Sequence, residues 1–115
     1  MNRHVRVTAQ SIDSVANPYS LHIDLVLDAE GKVVGDETFL GVEGSLRFGT
    51  LKCAPFVLHE DGKLDYGDEY EGERYAQVGR PGIGLQGVSI KPEARFEVAY
   101  GDKRQPYKIS QVVER

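Results

Sequence analysis

The sequence predicts an all-β protein: an antiparallel β-sandwich of immunoglobulin-like or jelly-roll type with about seven to nine short strands, and a small closed β-barrel as the second choice. Apolar and polar residues alternate through most of the chain, and residues that form tight turns separate the alternating stretches. The length of 115 residues fits a single domain over residues 1–115. A domain of this size buries about two-thirds of its unfolded surface, so it needs neither disulfides nor metal.

The clearest strand spans residues 21–28. Alternation places polar side chains such as His22 and Asp24 on one side of it. Gly31 then supplies the positive φ of a tight connection, and the apolar pair at residues 33 and 34 begins the returning strand. This pattern predicts a hairpin with one buried face. Its apolar side carries Leu21, Ile23, Leu25 and Leu27.

Further strands are predicted along the rest of the chain. Residues 5–9 indicate the first strand, residues 56–58 and 88–100 indicate strands in the second half, and residues 107–113 indicate the last. Each has an apolar side that we expect to face a common interior. The expected shared core comprises Leu21, Ile23, Leu25, Leu27, Leu46, Phe48, Phe56, Phe96 and Val98.

Residues 40–48 predict a strand whose buried side carries Leu40 and Val42 and whose exposed side carries Glu43. Three glycines interrupt its row of side chains, which indicates a bulge or a bend where the strand passes from one sheet to another. These glycines are Gly41, Gly44 and Gly49.

Two turns of the chain share the same spacing of Val-Leu, Gly-Lys and an apolar residue. They lie in residues 26–33 and 57–64. One interpretation is an internal duplication, or a pair of loops at one end of the fold. The simpler interpretation is that two hairpins use the same turn chemistry independently.

Residues 60–73 are the most charge-biased part of the chain, with seven acids against a single base, Lys63. Three tyrosines lie in or beside this stretch. Rigid aromatic rings within a negative surface suit a basic protein partner. The alternative is a solvated loop and edge strand whose charges oppose aggregation. The candidate partner-binding residues are Asp65, Tyr66, Asp68, Glu69, Tyr70, Glu71, Glu73 and Tyr75.

Gly82, Gly84 and Gly87 match the letters of the dinucleotide-binding pattern G-x-G-x-x-G. That site requires a helix that begins at the glycines, whereas residues 88–92 indicate a strand and then a turn. We therefore expect a loop that binds no nucleotide, and we expect no cofactor.

The chain shows no metal or catalytic motif. Its histidines are far apart in sequence, which argues against zinc, whereas calcium held by the acids of residues 65–73 stays an open alternative. No nucleophile elbow presents a serine, so we expect no enzyme activity. Cys53, beside Leu51 and Phe56, is expected to be a small buried hydrophobe.

The charge of the chain bears on its partners and its location. It has 18 acids against 14 bases, a formal net charge of −4, which argues against a nucleic-acid binder. No apolar run indicates a signal peptide or a transmembrane segment. We expect a protein in the cytoplasm or in an assembled particle, without membrane contact.

These observations favour a non-enzymatic structural or assembly subunit that acts through protein–protein contacts, with copies of itself or in a larger assembly. A capsid-decorating, tail or other virion component is an example. The alternative is a soluble inhibitor or immunity-type protein whose acidic, tyrosine-bearing segment covers a basic protein. A third is a calcium- or carbohydrate-dependent binding module.

Overall fold

The computed structural model of the protein describes residues 2–12, 19–34, 38–47, 50–68, 70 and 74–115, and of residues 46, 47 and 50 it describes only the backbone. Those residues form eight strands and no helix. Each strand pairs antiparallel with the next, and the last pairs with the first, so the sheet closes into a barrel. The strands are β1 Arg3–Ser11, β2 Tyr19–Leu27, β3 Phe39–Arg47, β4 Thr50–Leu58, β5 Lys63–Asp65, β6 Tyr75–Val78, β7 Arg95–Tyr100 and β8 Lys103–Glu114.

The predicted all-β class and the number of strands are confirmed, and the architecture is the barrel that stood as second choice. Alternation alone does not distinguish the two arrangements, because both have one buried face per strand. The barrel depends on β8, which pairs along β1 from Val5 to Ser11. A β-bulge lies on this seam: Thr8 pairs with Gln111 and Ala9 with Ile109.

The alternation predicted for β2 is confirmed, and its apolar side chains form the centre of the core. Phe56, Phe96 and Val98 are buried with them, as expected. Phe48 and the side chain of Leu46, which were also expected in the core, lie outside the described residues. The expected core residues that the structure shows buried are Leu21, Ile23, Leu25, Leu27, Phe56, Phe96 and Val98.

The face predicted for β3 is wrong. Leu40 is 65% exposed and Val42 is exposed, whereas Glu43 is only 7% exposed. The register explains this inversion, because Glu43 lies opposite Leu21 of β2 and therefore shares its inward face. Gly41 faces inward as well, where a Cβ would come within 2.5 Å of the Phe56 ring. Because Gly41 has no side chain, the Phe56 ring of the neighbouring strand can occupy this inward position.

The bend predicted for β3 is also absent from the described residues. β3 pairs with β4 without a register shift from Phe39, opposite Leu58, to Arg47, opposite Thr50. Gly49 lies outside the described residues. In the described part of the sheet, a register shift is found instead between β1 and β8, at the bulge.

Residues 79–94, between β6 and β7, cover one end of the barrel, which we call the apolar end. Leu85 and Ile90 are buried there. The Ile90 N–H donates to the carbonyl of Gly31 at 3.0 Å, and the Gly82 N–H donates to that of Asp61 at 3.0 Å. The glycine-rich stretch is therefore a loop, as predicted, and it ties the β6–β7 connection to both neighbouring hairpins.

The two turns of matching sequence both lie at the apolar end, and they share a hydrogen-bond pattern. The Gly31 N–H donates to the carbonyl of Asp28 at 3.1 Å, and the Gly62 N–H donates to that of His59 at 2.9 Å. Both glycines have positive φ, 81° and 90°. The geometry agrees with paired loops at one end of the fold, built by the same turn chemistry.

We predict that truncation of Ile23 and of Leu40 has very different effects. Ile23→Ala should lower the free energy of unfolding by about 2 to 5 kcal/mol, because it opens a cavity in the core. Leu40→Ala, a deletion of similar size on the adjacent strand, should cost about 0.5 kcal/mol or less, because Leu40 is exposed. Urea denaturation of both variants measures the difference, and equal losses would show that the inward face of β3 is assigned wrongly.

We predict that Gly84→Ala is more destabilising than Gly82→Ala. Both glycines have positive φ, 61° and 83°, so each alanine brings a strain of about 1 to 2 kcal/mol. At Gly84 the new Cβ would also lie 2.7 Å from the Cα of Gly62, which adds about 1 to 3 kcal/mol, whereas nothing lies within 4 Å of one at Gly82. Thermal unfolding monitored by circular dichroism compares them, and similar midpoints would contradict the close backbone contact.

Candidate functional site

The inward side chains of the barrel change in polarity and size along its axis. At the apolar end its inward positions carry large apolar side chains, among them Leu27, Phe39 and Leu58. At the other end, which we call the polar end, the inward positions are mostly small or polar. This end holds the β1–β2, β3–β4, β5–β6 and β7–β8 connections. Its inward residues include Ser11, Glu43, Ser45, Ala54, Tyr100 and Gln105.

A buried carboxylate lies within this polar end. The Tyr100 hydroxyl donates a hydrogen bond to Oε1 of Glu43 at 2.9 Å. The hydroxyls of Tyr100 and Tyr107 lie 2.8 Å apart. Tyr66, the first residue after β5, brings a third phenol close to the same carboxylate. We call Glu43, Tyr66, Tyr100 and Tyr107 the interior cluster.

Strand register assembles this cluster from four separate parts of the sheet. Glu43 lies opposite Ala54 of β4, which is half-buried on the same inward face. Tyr107 lies opposite Phe96, and their rings stack with centroids 5.6 Å apart. The aromatic stack holds the Tyr107 hydroxyl against Tyr100.

The Tyr66 side chain has an unusual environment. It is only 9% exposed, and its hydroxyl is buried without a hydrogen bond of good geometry to any described residue. Its ring stacks on Tyr70 with centroids 4.7 Å apart and meets Phe56 edge-on at 5.9 Å. These contacts fix the ring, so the hydroxyl cannot swing out to water without breaking them.

The tyrosines of the interior cluster are neutral at ordinary pH. Burial, first of all, raises the pKa of Tyr66, of Tyr100 and of Tyr107, and the charge of Glu43 raises each further. All three therefore act as hydrogen-bond donors. Because the Tyr100 hydroxyl donates its hydrogen bond to Glu43, the hydrogen bond between the two hydroxyls has Tyr107 as its donor.

Two acids of the predicted partner-binding segment pair with Arg74, one residue beyond the acidic run. The Arg74 guanidinium donates two hydrogen bonds to Asp65, at 2.9 and 3.2 Å, and forms an ion pair with Asp68. The Gly67 N–H also donates to Asp65. Arg74 foremost, and then this amide, hold the pKa of Asp65 below its usual value. Glu69, Glu71 and Glu73 lie outside the described residues.

The three tyrosines of that segment are separated by the structure. Tyr66 joins the interior cluster, and Tyr70, 39% exposed, covers its ring. Tyr75 is 46% exposed, and its ring lies between Lys63, with Nζ 5.0 Å from the centroid, and Arg74, with Cζ at 4.9 Å. Tyr70 and Tyr75 are thus the aromatic residues of the segment that reach the surface.

A second surface feature lies on the outside of the β3–β4 hairpin. Leu51 of β4 is 67% exposed, and Leu40 and Val42 of β3 are exposed on the same outer face of the hairpin. Val42 pairs with Pro55 of β4, which is exposed too. Among the described residues, β4 pairs with β5 only at Val57 and Leu58, and residues 50–56 of β4 have no described partner on that side. We call Leu40, Val42, Leu51, Cys53 and Pro55 the ribbon patch.

Cys53, expected to be buried, is exposed, and that prediction is wrong. The inward position of Phe56 fixes the alternation of β4, and Cys53 falls on the opposite face. Gly44, its partner on β3, leaves the thiol uncovered from that side. The sequence signal that could have revealed this was the parity of Cys53 relative to Phe56.

The structure also brings together residues that the sequence analysis did not select. Glu43, Tyr100 and Tyr107 were not candidate site residues, and Glu43 was assigned to the solvent face. A usable signal was present, because Phe39, Gly41 and Glu43 have the same parity and Phe39 is strongly apolar. Reading Phe39 rather than Leu40 as inward places Glu43 inside the fold.

No protein-family model matches the chain, and comparisons with curated proteins and with solved structures find no match. In the part of the chain that the structure describes, no group of three or more histidine, cysteine or acidic side chains could hold a metal ion. The same part contains no helix of the length and apolarity needed to cross a membrane. The site is therefore interpreted from its own geometry.

We predict opposite effects for two phenol-to-phenyl substitutions. Tyr100→Phe removes the donor to the buried Glu43 carboxylate and should lower the free energy of unfolding by about 1 to 3 kcal/mol. Tyr66→Phe removes a hydroxyl without a described partner, so stability should be unchanged or higher. Urea denaturation tests both, and a loss for Tyr66→Phe as large as that for Tyr100→Phe would show that the Tyr66 hydroxyl has a partner.

Proposed function

We propose that the protein is a non-enzymatic assembly subunit that binds other copies of its own chain through the ribbon patch. The observation that carries this proposal is the exposure of large apolar side chains, Leu40 and Leu51 above all, on one outer face of the β3–β4 hairpin. Contiguous apolar patches on soluble proteins commonly mark interaction sites. Assembly into a virion or another particle is the setting in which such a subunit would act.

The energetics favour contact through this face. Complete burial of a leucine side chain contributes about 1.5 to 3 kcal/mol, and two leucines from each copy would take part. A symmetric pair uses the same patch twice, which is the commonest arrangement of homo-oligomers. The net charge of −4 is small enough that repulsion between copies is modest.

Residues 50–56 of β4, which have no described partner on the β5 side, would add a backbone contribution to the same contact. Strand edges offer unpaired N–H and C=O groups to a neighbouring chain. Pro55 has no N–H to donate, and Lys52 lies in that stretch with its charge, so an extended ladder along β4 would be interrupted. We therefore assign most of the contact to the apolar face and only a few hydrogen bonds to the edge.

The acidic segment gives weaker support to the alternative, an immunity-type inhibitor that covers a basic protein. Tyr70 and Tyr75 are available on its surface. Asp65 and Asp68, however, are held by Arg74 of the same segment, which reduces the charge offered to a basic partner. The ribbon patch has no such internal partner for its leucines, and assembly is the function that the geometry supports better.

Sedimentation equilibrium over a concentration series tests the proposal. The wild-type chain should associate reversibly, and Leu51→Lys should raise the dissociation constant by at least about tenfold, because it removes the burial of a leucine side chain. Ile83→Lys is the matched control, since Ile83 is also an exposed apolar residue but lies in the β6–β7 connection at the apolar end. The control should associate like the wild type, and both variants should keep the wild-type melting temperature.

The single cysteine of the chain gives an independent readout. Cys53 belongs to the ribbon patch, so a short bismaleimide reagent should link two wild-type copies and should fail to link two copies of Leu51→Lys. A wild-type chain that stays monomeric at every concentration, or equal association of the wild type and Leu51→Lys, would contradict the proposal.

A further inference from the structure

The backbone of β4 directs its hydrogen-bonding groups alternately to its two sides, and the turn after it shows which residues point away from β3. The His59 N–H donates to the carbonyl of Lys63 at 2.9 Å, on the side of β5. β4 pairs with β3 from Leu58 to Thr50 without a register shift. Every second residue before His59 therefore points its N–H and C=O groups to the β5 side. In the stretch 50–56 these residues are Leu51, Cys53 and Pro55.

The same three residues carry the outward side chains of this stretch. Phe56 points inward and is buried, so alternation places Leu51, Cys53 and Pro55 on the outer face, where all three are exposed. The described part of β5 pairs with β4 no nearer to them than Val57. A strand that paired with this edge would therefore bring its own outward side chains beside those of the ribbon patch.

Pro55 limits the partners that match this edge. It has no N–H, so the donors of the edge are the amides of Leu51 and Cys53, whereas all three carbonyls can accept. A second copy related by a two-fold axis beside Cys53 fits this arrangement. Each Cys53 amide then donates to Cys53 of the other copy, and each Leu51 amide donates to the Pro55 carbonyl of the other copy. Every edge donor is used, in about four hydrogen bonds.

The neighbouring registers of two such edges are less favourable. An axis beside Lys52 would place the lysines of the two copies directly opposite each other, and like charges in that position repel. An axis beside Ala54 would place Leu51 opposite Val57, whose backbone already pairs with β5. The axis beside Cys53 avoids both conflicts, because it places Lys52 of one copy opposite Ala54 of the other.

We propose that two copies of the chain join edge to edge along residues 51–55 of β4, antiparallel and with the two-fold axis beside Cys53, so that the two barrels share one continuous sheet. The proposal rests on the assembly function proposed above and specifies the geometry of its contact. The outward side chains of the two ribbon patches lie side by side across the axis, with Leu51 of each copy beside Pro55 of the other.

Removal of one edge donor tests the backbone contact on the full chain. Cys53→Pro deletes an N–H that points away from β3, so it leaves the pairing of β3 with β4 intact. In sedimentation equilibrium it should raise the dissociation constant by at least about fivefold, because each copy loses a hydrogen bond, and it should not lower the melting temperature. Cys53→Ala is the matched control, since it keeps the N–H, and it should associate like the wild type.

Disulfide mapping tests the register, and it applies even if Cys53→Pro does not fold. Lys52→Cys and Ala54→Cys are each made in a Cys53→Ser chain and oxidised with copper phenanthroline, singly and as an equal mixture. In the proposed register position 52 of one copy lies opposite position 54 of the other, with Cα atoms about 4.5 Å apart, which a disulfide can span. Identical positions lie diagonally, about 7 to 8 Å apart. The mixture should therefore form linked dimers at least about fivefold faster than either variant alone.

The outcomes separate this proposal from the assembly function on which it rests. Association that is lost in Leu51→Lys but unchanged in Cys53→Pro would overturn the edge pairing and leave assembly intact. Linkage of either cysteine variant alone as fast as linkage of the mixture, or no linkage in any sample of an associating chain, would overturn the register in the same way. A wild-type chain that stays monomeric at every concentration would overturn both proposals.

Discussion

The pairing of β8 with β1 is the interaction on which the rest of the structure depends. It turns a sheet with two faces into a barrel with an inside and an outside, and each residue position must then belong to one or the other. The buried side chains of β2 occupy the inside, and the register of β1 and β3 against β2 passes that assignment to both neighbours. A one-residue change of register would exchange the two faces of a strand. The position of Glu43 inside the barrel follows from this constraint, and the parity that Glu43 shares with Phe39 agrees with it.

The sequence was sufficient to predict the buried face of a strand wherever apolar and polar residues alternate clearly within that strand. In β2 four apolar residues alternate with polar ones, and the turn after it uses a glycine with positive φ, so both were predictable. In β3 the strand alone is ambiguous, because Phe39 indicates one inward face whereas Leu40 and Val42 indicate the other. Leu40 and Val42 are apolar yet lie outside, because inward space at Gly41 is taken by Phe56 of the next strand. The packing of the Phe56 ring against Gly41 involves two strands, so it cannot be derived from the sequence of either strand alone.

The candidate site was only partly predictable for similar reasons. The tyrosines and acids of residues 65–75 were recognisable as a cluster, but whether their charge is available depends on Arg74, and whether a ring is exposed depends on the closure of the barrel. Tyr66 illustrates both points, since its ring is a core residue and its hydroxyl belongs to a polar interior. Closure of eight strands joins Glu43, Tyr100 and Tyr107, which are separated by as many as 64 residues in the chain and meet only through β-sheet register.

The contact between the backbones of Gly62 and Gly84 has a consequence for access to the interior. No side chain fits between these two segments, and buried Leu85 and Ile90 lie beneath the connection that they hold. At this end the barrel is covered by main chain packed against main chain. A change of side chain therefore cannot open a path to the interior here. Only a displacement of the whole β6–β7 connection could do so, and its hydrogen bonds to both neighbouring hairpins oppose that displacement.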